Sequence, residues 1–600
     1  MSQLFDILGP TARHPQVTTA LSLMAQGETE RGAVFTRKEV VNAILDLAGY
    51  TLDRPLYRQR LLEPACGRGD FLLVAVDRLL AAYDHAGGGA SEAVHELRDA
   101  IRAVELHVAS HDETAQAVTA RLIAAGLSER DAGELCRSWL IRDDFLLCHL
   151  DGEFDYVVGN PPYVRQERIP EALLREYRRR FRTLYDRADL YVPFFERALD
   201  LLAPGGRLGF VCANRWLKNK YGGPLREKIA RDFVLTHFID LDGIDAFHSE
   251  VIAYPAITLI ERPRVSPHSG QEAVQDGAGI PGMTRLIKPD VLSRVEQLPP
   301  LVTALRAETL DAALVAEVRL GGVQQDAPWL LDGGAHLDLI RRLEHTYPTL
   351  EEAGCKVGIG VATGCDRVFI ADYASLPVES ACKLPLVMAR DLVAGEIQWH
   401  GKGVINPFRP DGRLVDLDEH PQLVVYLQRH REAVAGRHVA KRNPASWYRT
   451  IDRIDPSLVG RPKLLIPDIK GEATVVFDEG RFYPHHNLYY ITTSEWEPRA
   501  LQSVLRSSVA VAMVATYCTR MAGGFLRFQA QYLRRIRLPR WSEVSEALRA
   551  ELAAVALERR RDAVDEPVFR LYGLDGREAE YVSATALDAQ VTAKNRIKST

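Results

Sequence analysis

Cysteine is scarce in this chain, and its spacing excludes two kinds of site. The 600 residues include eight scattered cysteines with no Cys-x-x-Cys pair. This pattern predicts neither a zinc site nor a disulfide framework, and it favours a reducing compartment, the cytoplasm. The chain also lacks a run of 18 uncharged apolar residues and an N-terminal signal peptide, so we expect no membrane association.

An excess of positive charge is missing as well. The formal net charge is −5, while apolar residues at 46% and charged residues at 26% are typical of a globular protein. Any surface for nucleic acid must therefore be a local basic patch on an acidic chain. The length exceeds one ordinary domain, and we expect two or three.

The most informative stretch present is the tetrapeptide Asn160-Pro161-Pro162-Tyr163. It follows the apolar run FDYVVG, which predicts a buried strand. Two consecutive prolines fix the backbone and remove two donors, so the turn keeps carbonyl acceptors. With the Asn160 amide oxygen and the Tyr163 ring, these acceptors could hold a planar amine such as that of a nucleobase. The alternative is an ordinary turn closed by Asn and Pro.

A second signal is the segment LLEPACGRGDFLLVA at positions 61–75. It predicts a short strand, a glycine-bearing turn and an apolar-periodic helix that begins at Phe71. Glycines let the backbone approach a ligand closely, and a helix N-terminus offers N–H groups. The acids Glu63 and Asp70 at the two ends of the turn suit a ligand with an ammonium group and hydroxyls. A plain strand-to-helix connection is the alternative.

Further strand candidates alternate with helices. Residues 100–106 contain Glu105, an acid of the kind that binds ribose hydroxyls after the second strand of a doubly wound sheet. Residues 139–146 contain Asp144 and Phe145, and a helix at 190–202 precedes a strand at 207–212. This alternation predicts an α/β domain with a mostly parallel sheet, whose ligands lie at the carboxyl ends of the strands.

The order of these motifs resembles the TaqI-type DNA adenine N6-methyltransferases over residues 32–261, with Arg37 where that family usually has proline. The resemblance implies a Rossmann-like S-adenosylmethionine-dependent methyltransferase domain followed by an α+β target-recognition domain. It implies that Asn160, Pro161 and Tyr163 are catalytic, and that Tyr163 and Phe247 stack on the extruded base. The cofactor residues that it implies are Phe35, Thr36, Glu63, Ala65, Gly67, Gly69, Asp70, Glu105, Asp144, Phe145 and Asn160.

Two local patches supply the positive charge that the whole chain lacks. Residues 165–187 hold eight arginines against four acids, and 429–453 hold seven basic residues against two acids. We expect them to contact DNA phosphates and bases. The alternatives are a solvated arginine-rich helix and an aromatic pair packed beside a basic helix. The residues predicted to bind DNA are Arg165, Arg168, Arg442, Trp447 and Tyr448.

The C-terminal half has a different pattern of short strands separated by Gly- and Pro-bearing turns. We predict a catalytic domain at 1–265, a linker or excursion at 266–295, a target-recognition domain at 296–540 and a helical tail at 541–600. The predicted strands of this half are 355–361, 367–371, 463–467, 473–477 and 488–492, and its predicted helices are 334–345, 418–435 and 498–516.

The predicted function is methyl transfer from S-adenosylmethionine to the N6 amine of an adenine extruded from duplex DNA. The chain would be the monomeric, metal-free modification half of a restriction-modification system, with a separate restriction endonuclease as partner. About 31 residues precede Gly32, which predicts no nuclease domain. The alternatives are a cytosine N4 acceptor, a release-factor glutamine acceptor, which the large C-terminal half disfavours, and an inactive DNA-binding subunit of a defence system.

Overall fold

The computed structural model divides the chain into two compact units. These are Met1–Gly334 and Ala335–Thr600, called here the N-terminal unit and the C-terminal unit. Every helix in the described part of the chain is too short or too polar to span a bilayer. The described residues are 14–26, 35–241, 243–248, 255–264, 283–287, 292–307, 309, 315–319, 328–331, 335–393, 395–470, 474–518 and 526–597.

A nine-stranded sheet forms the centre of the N-terminal unit, in the order β3-β2-β1-β4-β5-β7-β6-β8-β9. The first five strands of this order are mutually parallel, β7 is antiparallel to both β5 and β6, β8 is parallel to β6, and β9 is antiparallel to β8. The predicted α/β fold with a mostly parallel sheet is confirmed. The strands are β1 Leu61–Glu63, β2 Ile101–Val104, β3 Leu140–Ile141, β4 Phe154–Gly159, β5 Leu202–Ala213, β6 Val234–Asp240, β7 Pro255–Glu261, β8 Met283–Ile287 and β9 Val315–Arg319.

Helices cover both faces of this sheet, as a parallel sheet requires. In β4, Tyr156 and Val158 join the hydrophobic cluster on one face, while Phe154 and Val157 join the cluster on the other. This is the period-two alternation of a strand buried on both sides. The helices are α1 Pro15–Gln26, α2 Lys38–Ala48, α3 Asp70–His85, α4 Ala93–Leu97, α5 Val108–Ala124, α6 Glu129–Trp139, α7 Glu171–Arg180, α8 Tyr191–Asp200, α9 Gly223–Asp232 and α10 Leu298–Arg306.

The C-terminal unit combines helices with small sheets, which confirms the predicted α+β class. Two four-stranded sheets have the orders β10-β20-β16-β18 and β11-β15-β12-β19. The strands are β10 Cys355–Ile359, β11 Ile370–Asp372, β12 Lys383–Val387, β13 Leu392–Val393, β14 Glu396–Ile397, β15 Lys402–Ile405, β16 Lys463–Pro467, β17 Ile469–Lys470, β18 Val476–Asp478, β19 Tyr483–Pro484, β20 Leu488–Thr493 and β21 Leu526–Arg527.

The helices of the C-terminal unit lie mostly in its second half. They are α11 Ala335–Thr346, α12 Asp366–Phe369, α13 Pro421–Arg429, α14 Arg431–Ala435, α15 His438–Arg442, α16 Pro498–Arg506, α17 Ser508–Tyr517, α18 Ala530–Leu533, α19 Glu546–Ala554, α20 Arg561–Tyr572 and α21 Gly576–Ile597.

Several elements differ from their sequence predictions. The predicted strand 367–371 is the short helix α12 followed by β11. The predicted helix 498–516 is two helices. The Ser507 side chain accepts a hydrogen bond from the Ala510 backbone N–H and thereby caps the N-terminus of the second helix, α17. Strand β8 falls within the predicted linker 266–295, and β9 falls within the predicted recognition domain, yet both belong to the nine-stranded sheet.

Candidate active site

The site lies between β1 and β4, where the order of strands in the sheet changes direction. Strands β1 and β4 are parallel neighbours, with Leu62 opposite Val157. From β1 the strand order continues through β2 to β3, and from β4 it continues to β5 on the other side. Ligands of open α/β sheets bind in the crevice that such a reversal opens at the carboxyl ends of the strands. Glu63 ends β1, and the Asn160 turn follows β4.

The glycine turn after β1 has the geometry that its sequence predicts. Gly69 has a φ of +89°, and a β-carbon there would lie 3.0 Å from the Leu73 side chain. The N–H of Gly67 donates to the Glu105 carboxylate at 2.8 Å, and the Thr114 hydroxyl donates to the Gly67 carbonyl at 2.8 Å. The turn is therefore tied to the end of β2 and to α5, which fixes its backbone beside the crevice.

Three carboxyl groups converge on this turn. Glu63 is 2% exposed, and burial, together with the nearby Asp70 and Glu105 carboxylates, raises its pKa well above the ordinary value. Burial also raises the pKa of Asp70. Within the described part of the chain, Glu63 Oε2 is buried and has no hydrogen-bond partner. A buried, unpaired carboxylate oxygen is costly, so this arrangement suits a ligand that brings a cation.

A chain of hydrogen bonds joins the glycine turn to the Asn160 turn. The Thr36 N–H donates to Asp70 Oδ2 at 2.7 Å, and Asn160 Nδ2 donates to the Thr36 hydroxyl at 3.1 Å. Thr36 itself is buried. Because Asn160 uses its amide nitrogen toward Thr36, its amide oxygen faces away from that residue. The resemblance named Thr36 as a cofactor residue, but the sequence offered no sign of this bridging position.

The two rings predicted to stack on a base are neighbours. The centroids of Tyr163 and Phe247 are 6.3 Å apart, with the rings inclined at 76° in an edge-to-face contact. Tyr163 also donates a long hydrogen bond of 3.4 Å to the Val211 carbonyl, and Phe247 is buried. A base held between two parallel rings needs two contacts of about 3.5 Å each, so this arrangement is closed to a base.

The segment after β3 forms the other wall. The Leu146 N–H donates to Asp144 Oδ1 at 2.7 Å, and the Tyr177 hydroxyl donates to Asp144 Oδ2. The Phe145 ring packs on Phe194 with centroids 5.0 Å apart. The predicted strand 139–146 is shorter than expected, since α6 extends to Trp139 and the Asp144 side chain organises a turn.

These elements enclose a cavity of about 370 Å³, a size typical of small-molecule sites. Among its lining residues, the ones predicted from the sequence are Phe35, Thr36, Glu63, Ala65, Gly67, Asp70, Glu105, Asp144, Phe145 and Asn160. Arg168, predicted to bind DNA, also lines it. The predicted catalytic, base-stacking and cofactor residues that do not line it are Gly69, Pro161, Tyr163 and Phe247.

Sequence reasoning missed part of this lining. His107 and Ser110 at the start of α5, Tyr177 on α7 and Phe194 on α8 all contribute to the wall. His107 stands two residues after the strand-end acid Glu105, whose Oε1 accepts the His107 N–H at 2.7 Å. Its place just after a strand-end acid is a sequence feature that could have identified His107 as a lining residue. Tyr177 and Phe194 come from helices whose apolar periodicity fits any packed core, so no local pattern marked them.

The residues predicted to bind DNA have different surroundings. Arg165, Arg168 and Arg442 are exposed. Trp447 and Tyr448 are each 9% exposed and pack together in a hydrophobic cluster of the C-terminal unit. Arg431 covers the Trp447 ring at 4.8 Å, and the Tyr448 hydroxyl donates to the Val415 carbonyl at 2.9 Å. This packing matches the alternative of an aromatic pair packed beside a basic helix, and the DNA-facing role of the two rings stays a prediction.

Known proteins resemble this chain in sequence and in fold. The family model described as Eco57I restriction-modification methylase matches residues 99–247. The type II methyltransferase M.PaeR7I of Pseudomonas aeruginosa is 54% identical over 581 residues, or 95% of this chain and 98% of that one. The type II methyltransferase M.XhoI of Xanthomonas vasicola is 52% identical over 554 residues, or 92% and 99%.

A solved structure resembles the chain in fold alone. The type IIL restriction-modification enzyme MmeI, solved in complex with DNA, has a TM-score of 0.53 at 12% identity, covering 93% of this chain and 75% of that one. The two close relatives each exceed 50% identity over nearly their full length. On this evidence the chain belongs to the type II methyltransferases of restriction-modification systems.

Proposed function

We propose that this methyltransferase transfers a methyl group from S-adenosylmethionine to the N6 amine of an adenine extruded from duplex DNA. The observation that carries the proposal is the pair of hydrogen bonds from Asn160 to Thr36 and from Thr36 to Asp70. It joins the acceptor-rich Asn160 turn to a cavity that is lined by the buried Glu63 and the partly buried Asp70 carboxyl groups. An amine and a methyl donor held at these two places would meet beside Asn160.

The cavity fits S-adenosylmethionine in charge and in kind of contact. When bound, this cofactor supplies a methyl group on a positively charged sulfur. Glu63 and Asp70 would hold its ammonium group, since both line the cavity at the glycine turn, Glu63 buried and Asp70 partly buried. Glu105 would accept ribose hydroxyls with the lone pairs that its two backbone N–H donors leave. Phe145 and Phe35 supply apolar surface for the adenine ring of the cofactor.

The Asn160 turn would hold the amine that receives the methyl group. An exocyclic amine is a poor nucleophile while its lone pair is delocalised into the ring. The Asn160 amide oxygen and the Pro161 carbonyl would accept hydrogen bonds from its two N–H groups, which favours a tetrahedral nitrogen with an available lone pair. The Asn160 hydrogen bond to Thr36 fixes the amide orientation that this role requires. Positioning and electrostatics then supply most of the rate.

Entry of the base requires the Tyr163 and Phe247 rings to separate. Their edge-to-face contact leaves no gap for a planar ring. We infer that an extruded base displaces this contact, breaks the 3.4 Å hydrogen bond from Tyr163 to Val211, and stacks on Tyr163. Unstacking a base from the duplex costs a few kcal/mol, which the new stacking offsets.

The proposal also includes duplex DNA as the substrate, a separate restriction endonuclease as the partner and the cytoplasm as the location. Arg165, Arg168 and Arg442 are exposed and would contact phosphates. The chain would act as a monomer and protect the sites that a partner nuclease cuts. The eight cysteines are scattered along the chain with no Cys-x-x-Cys pair, which supports a reducing compartment.

Transfer of a labelled methyl group to duplex DNA tests this function. Purified chain, labelled S-adenosylmethionine and DNA from an unmethylated host should give labelled DNA, and Asn160→Ala should remove the label while cofactor binding survives. Long-read sequencing of DNA from an expressing host would identify the base and its sequence context. Methylated cytosine N4 would overturn the adenine assignment, because the same acceptors suit that amine. A folded, cofactor-binding chain that labels no DNA would overturn the proposed transfer to DNA.

A further inference from the structure

Two distant segments of the C-terminal unit are held against each other by their backbones. Val361 and His485 form an isolated parallel bridge, the Val361 N–H donates to the Pro484 carbonyl at 3.0 Å, and the His486 N–H donates to the Val361 carbonyl at 3.0 Å. A β-carbon at Gly360 would lie 2.2 Å from the His485 carbonyl oxygen, so only glycine allows this approach. The contact fixes His485 and His486 beside Asp366.

His485 is in an unusual position, because both of its ring nitrogens face oxygen acceptors. Nε2 lies 3.2 Å from Asp366 Oδ2, and Nδ1 lies 2.9 Å from Asn487 Oδ1. The side chain is only 5% exposed. A neutral imidazole carries one N–H, so one of these contacts places two acceptors face to face. When Asn487 Oδ1 accepts the Nδ1 proton, the Nε2 lone pair faces Asp366 Oδ2, and a second proton or a bound cation between these two atoms would remove their repulsion.

The neighbouring groups favour a cation. The centroid of the His486 ring lies 4.0 Å from that of the His485 ring, with the two planes inclined at 52°, and His486 adds a second imidazole to the cluster. The Thr363 hydroxyl donates to Asp366 Oδ1 at 2.5 Å, which orients Oδ2 toward His485. One ligand atom from each of Asp366, His485 and His486 lies within 4.8 Å of the other two.

We propose that Asp366, His485 and His486 bind a divalent transition metal of the Zn²⁺ class. Two imidazoles and one carboxylate are ligands that Zn²⁺ prefers. Metal bonds of about 2.0–2.1 Å place adjacent ligand atoms about 2.9–3.4 Å apart, and the 3.2 Å between Nε2 and Oδ2 lies within that range. Asn487 would fix the His485 tautomer by accepting a hydrogen bond from Nδ1, the role that carboxylates, backbone carbonyls and waters have beside other metal-bound imidazoles.

The metal would join segments that are 119 residues apart in the chain. Asp366 begins α12, just before β11, and His485 and His486 lie between β19 and β20, so the ion would fix this short helix to the segment that joins the two four-stranded sheets. Asp366 and His486 are exposed, which leaves further coordination positions to solvent. The site goes beyond methyl transfer and does not depend on which base is methylated.

Metal titration of the full-length, tag-free, chelator-treated chain tests this site. We expect one equivalent of Zn²⁺ to bind in calorimetry, and Co²⁺ to give the visible absorption of a nitrogen- and oxygen-ligated ion. Asp366→Asn and His486→Asn should each raise the metal Kd at least about tenfold. The matched control is His400→Asn, because His400 pairs with Asp391 and joins no three-ligand group in the described part of the chain. This control should bind as the parent does.

Two results would overturn the site. One is the absence of saturable binding at 100-fold molar excess of Zn²⁺. The other is equal metal affinity in the parent, Asp366→Asn and His486→Asn, which would indicate an ordinary ion pair between a protonated His485 and Asp366. If the variants unfold, histidine modification in the parent decides the matter: Zn²⁺ must protect His486 from diethyl pyrocarbonate, and unprotected labelling contradicts the proposal.

Discussion

Replacement of Glu63 by glutamine removes one charge from the base of the cavity and keeps the shape of the side chain. Glu63 is 2% exposed, its Oε2 has no partner within the described residues, and its pKa is raised mainly by burial. Without cofactor, the variant should be as stable as the parent or more stable, because the buried carboxylate no longer has to be desolvated.

With cofactor, the same substitution should weaken binding. A hydrogen bond between an ammonium and a carboxylate contributes about 1.5–3 kcal/mol, which corresponds to a rise in Kd of about 10- to 150-fold. The control is Glu196→Gln, a buried glutamate that accepts the Thr183 N–H at 2.8 Å and does not line the cavity. That control should lower the melting temperature and leave the cofactor Kd unchanged.

Calorimetric titration with S-adenosylmethionine and thermal melts measure both effects. The pH dependence gives a second test. The folded-state pKa of Glu63 lies above its ordinary value of 4.5, so its contribution to stability is present at low pH and is lost as pH rises through the folded pKa. Cofactor affinity should increase over the same range, because the carboxylate is the form that accepts the ammonium. An unchanged Kd and pH profile in Glu63→Gln would refute the role of Glu63.

Substitutions at three other residues test further parts of the account. Asn160→Ala should lower kcat at least about 100-fold, as loss of a single positioned catalytic hydrogen bond does, while calorimetry finds the cofactor Kd nearly unchanged; a large rise in Kd would instead assign Asn160 to cofactor binding. Tyr163→Phe should be mild, since it removes only the 3.4 Å bond to Val211, and Tyr163→Ala should be severe in a base-extrusion fluorescence assay; equal effects would contradict the stacking role. Trp447→Ala should reduce the free energy of unfolding by about 3–5 kcal/mol, whereas normal stability with lost DNA affinity would support the prediction that the ring faces DNA.

Local motifs predicted the catalytic side of the sheet well, because each one combines a strand end with a turn. Residues 154–159 were predicted as a strand and form β4 with the same bounds. The glycine turn at 67–69 also has the positive φ angles that its composition indicates. Both depend on short-range chemistry, which the sequence contains in full.

Contacts between residues far apart in the sequence could not be predicted from local motifs. Strand β7 inserts antiparallel between β5 and β6, a pairing that no local pattern in its apolar run specifies. Strand β8 is surrounded by Pro- and Gly-rich sequence and therefore resembled a linker. Trp447 and Tyr448 lie among basic residues, and only tertiary packing determines that their rings point inward.

The contacts inside the cavity depended on the same distant pairings. Tyr177 reaches Asp144 from 33 residues away, and Asn160 reaches Thr36 from 124 residues away. The family resemblance named Thr36 and Asp144, but the hydrogen bonds that connect them to their neighbours required the structure. These hydrogen bonds connect residues of separate motifs around one cavity.

Chromatography of nucleosides from enzymatically labelled DNA tests the central claim most directly. The chain is incubated with duplex DNA and S-adenosylmethionine labelled in its methyl group, and the DNA is digested to nucleosides. The account predicts label in N6-methyldeoxyadenosine alone, and none with Asn160→Ala. Label in N4-methyldeoxycytidine, or equal labelling by Asn160→Ala, would contradict it.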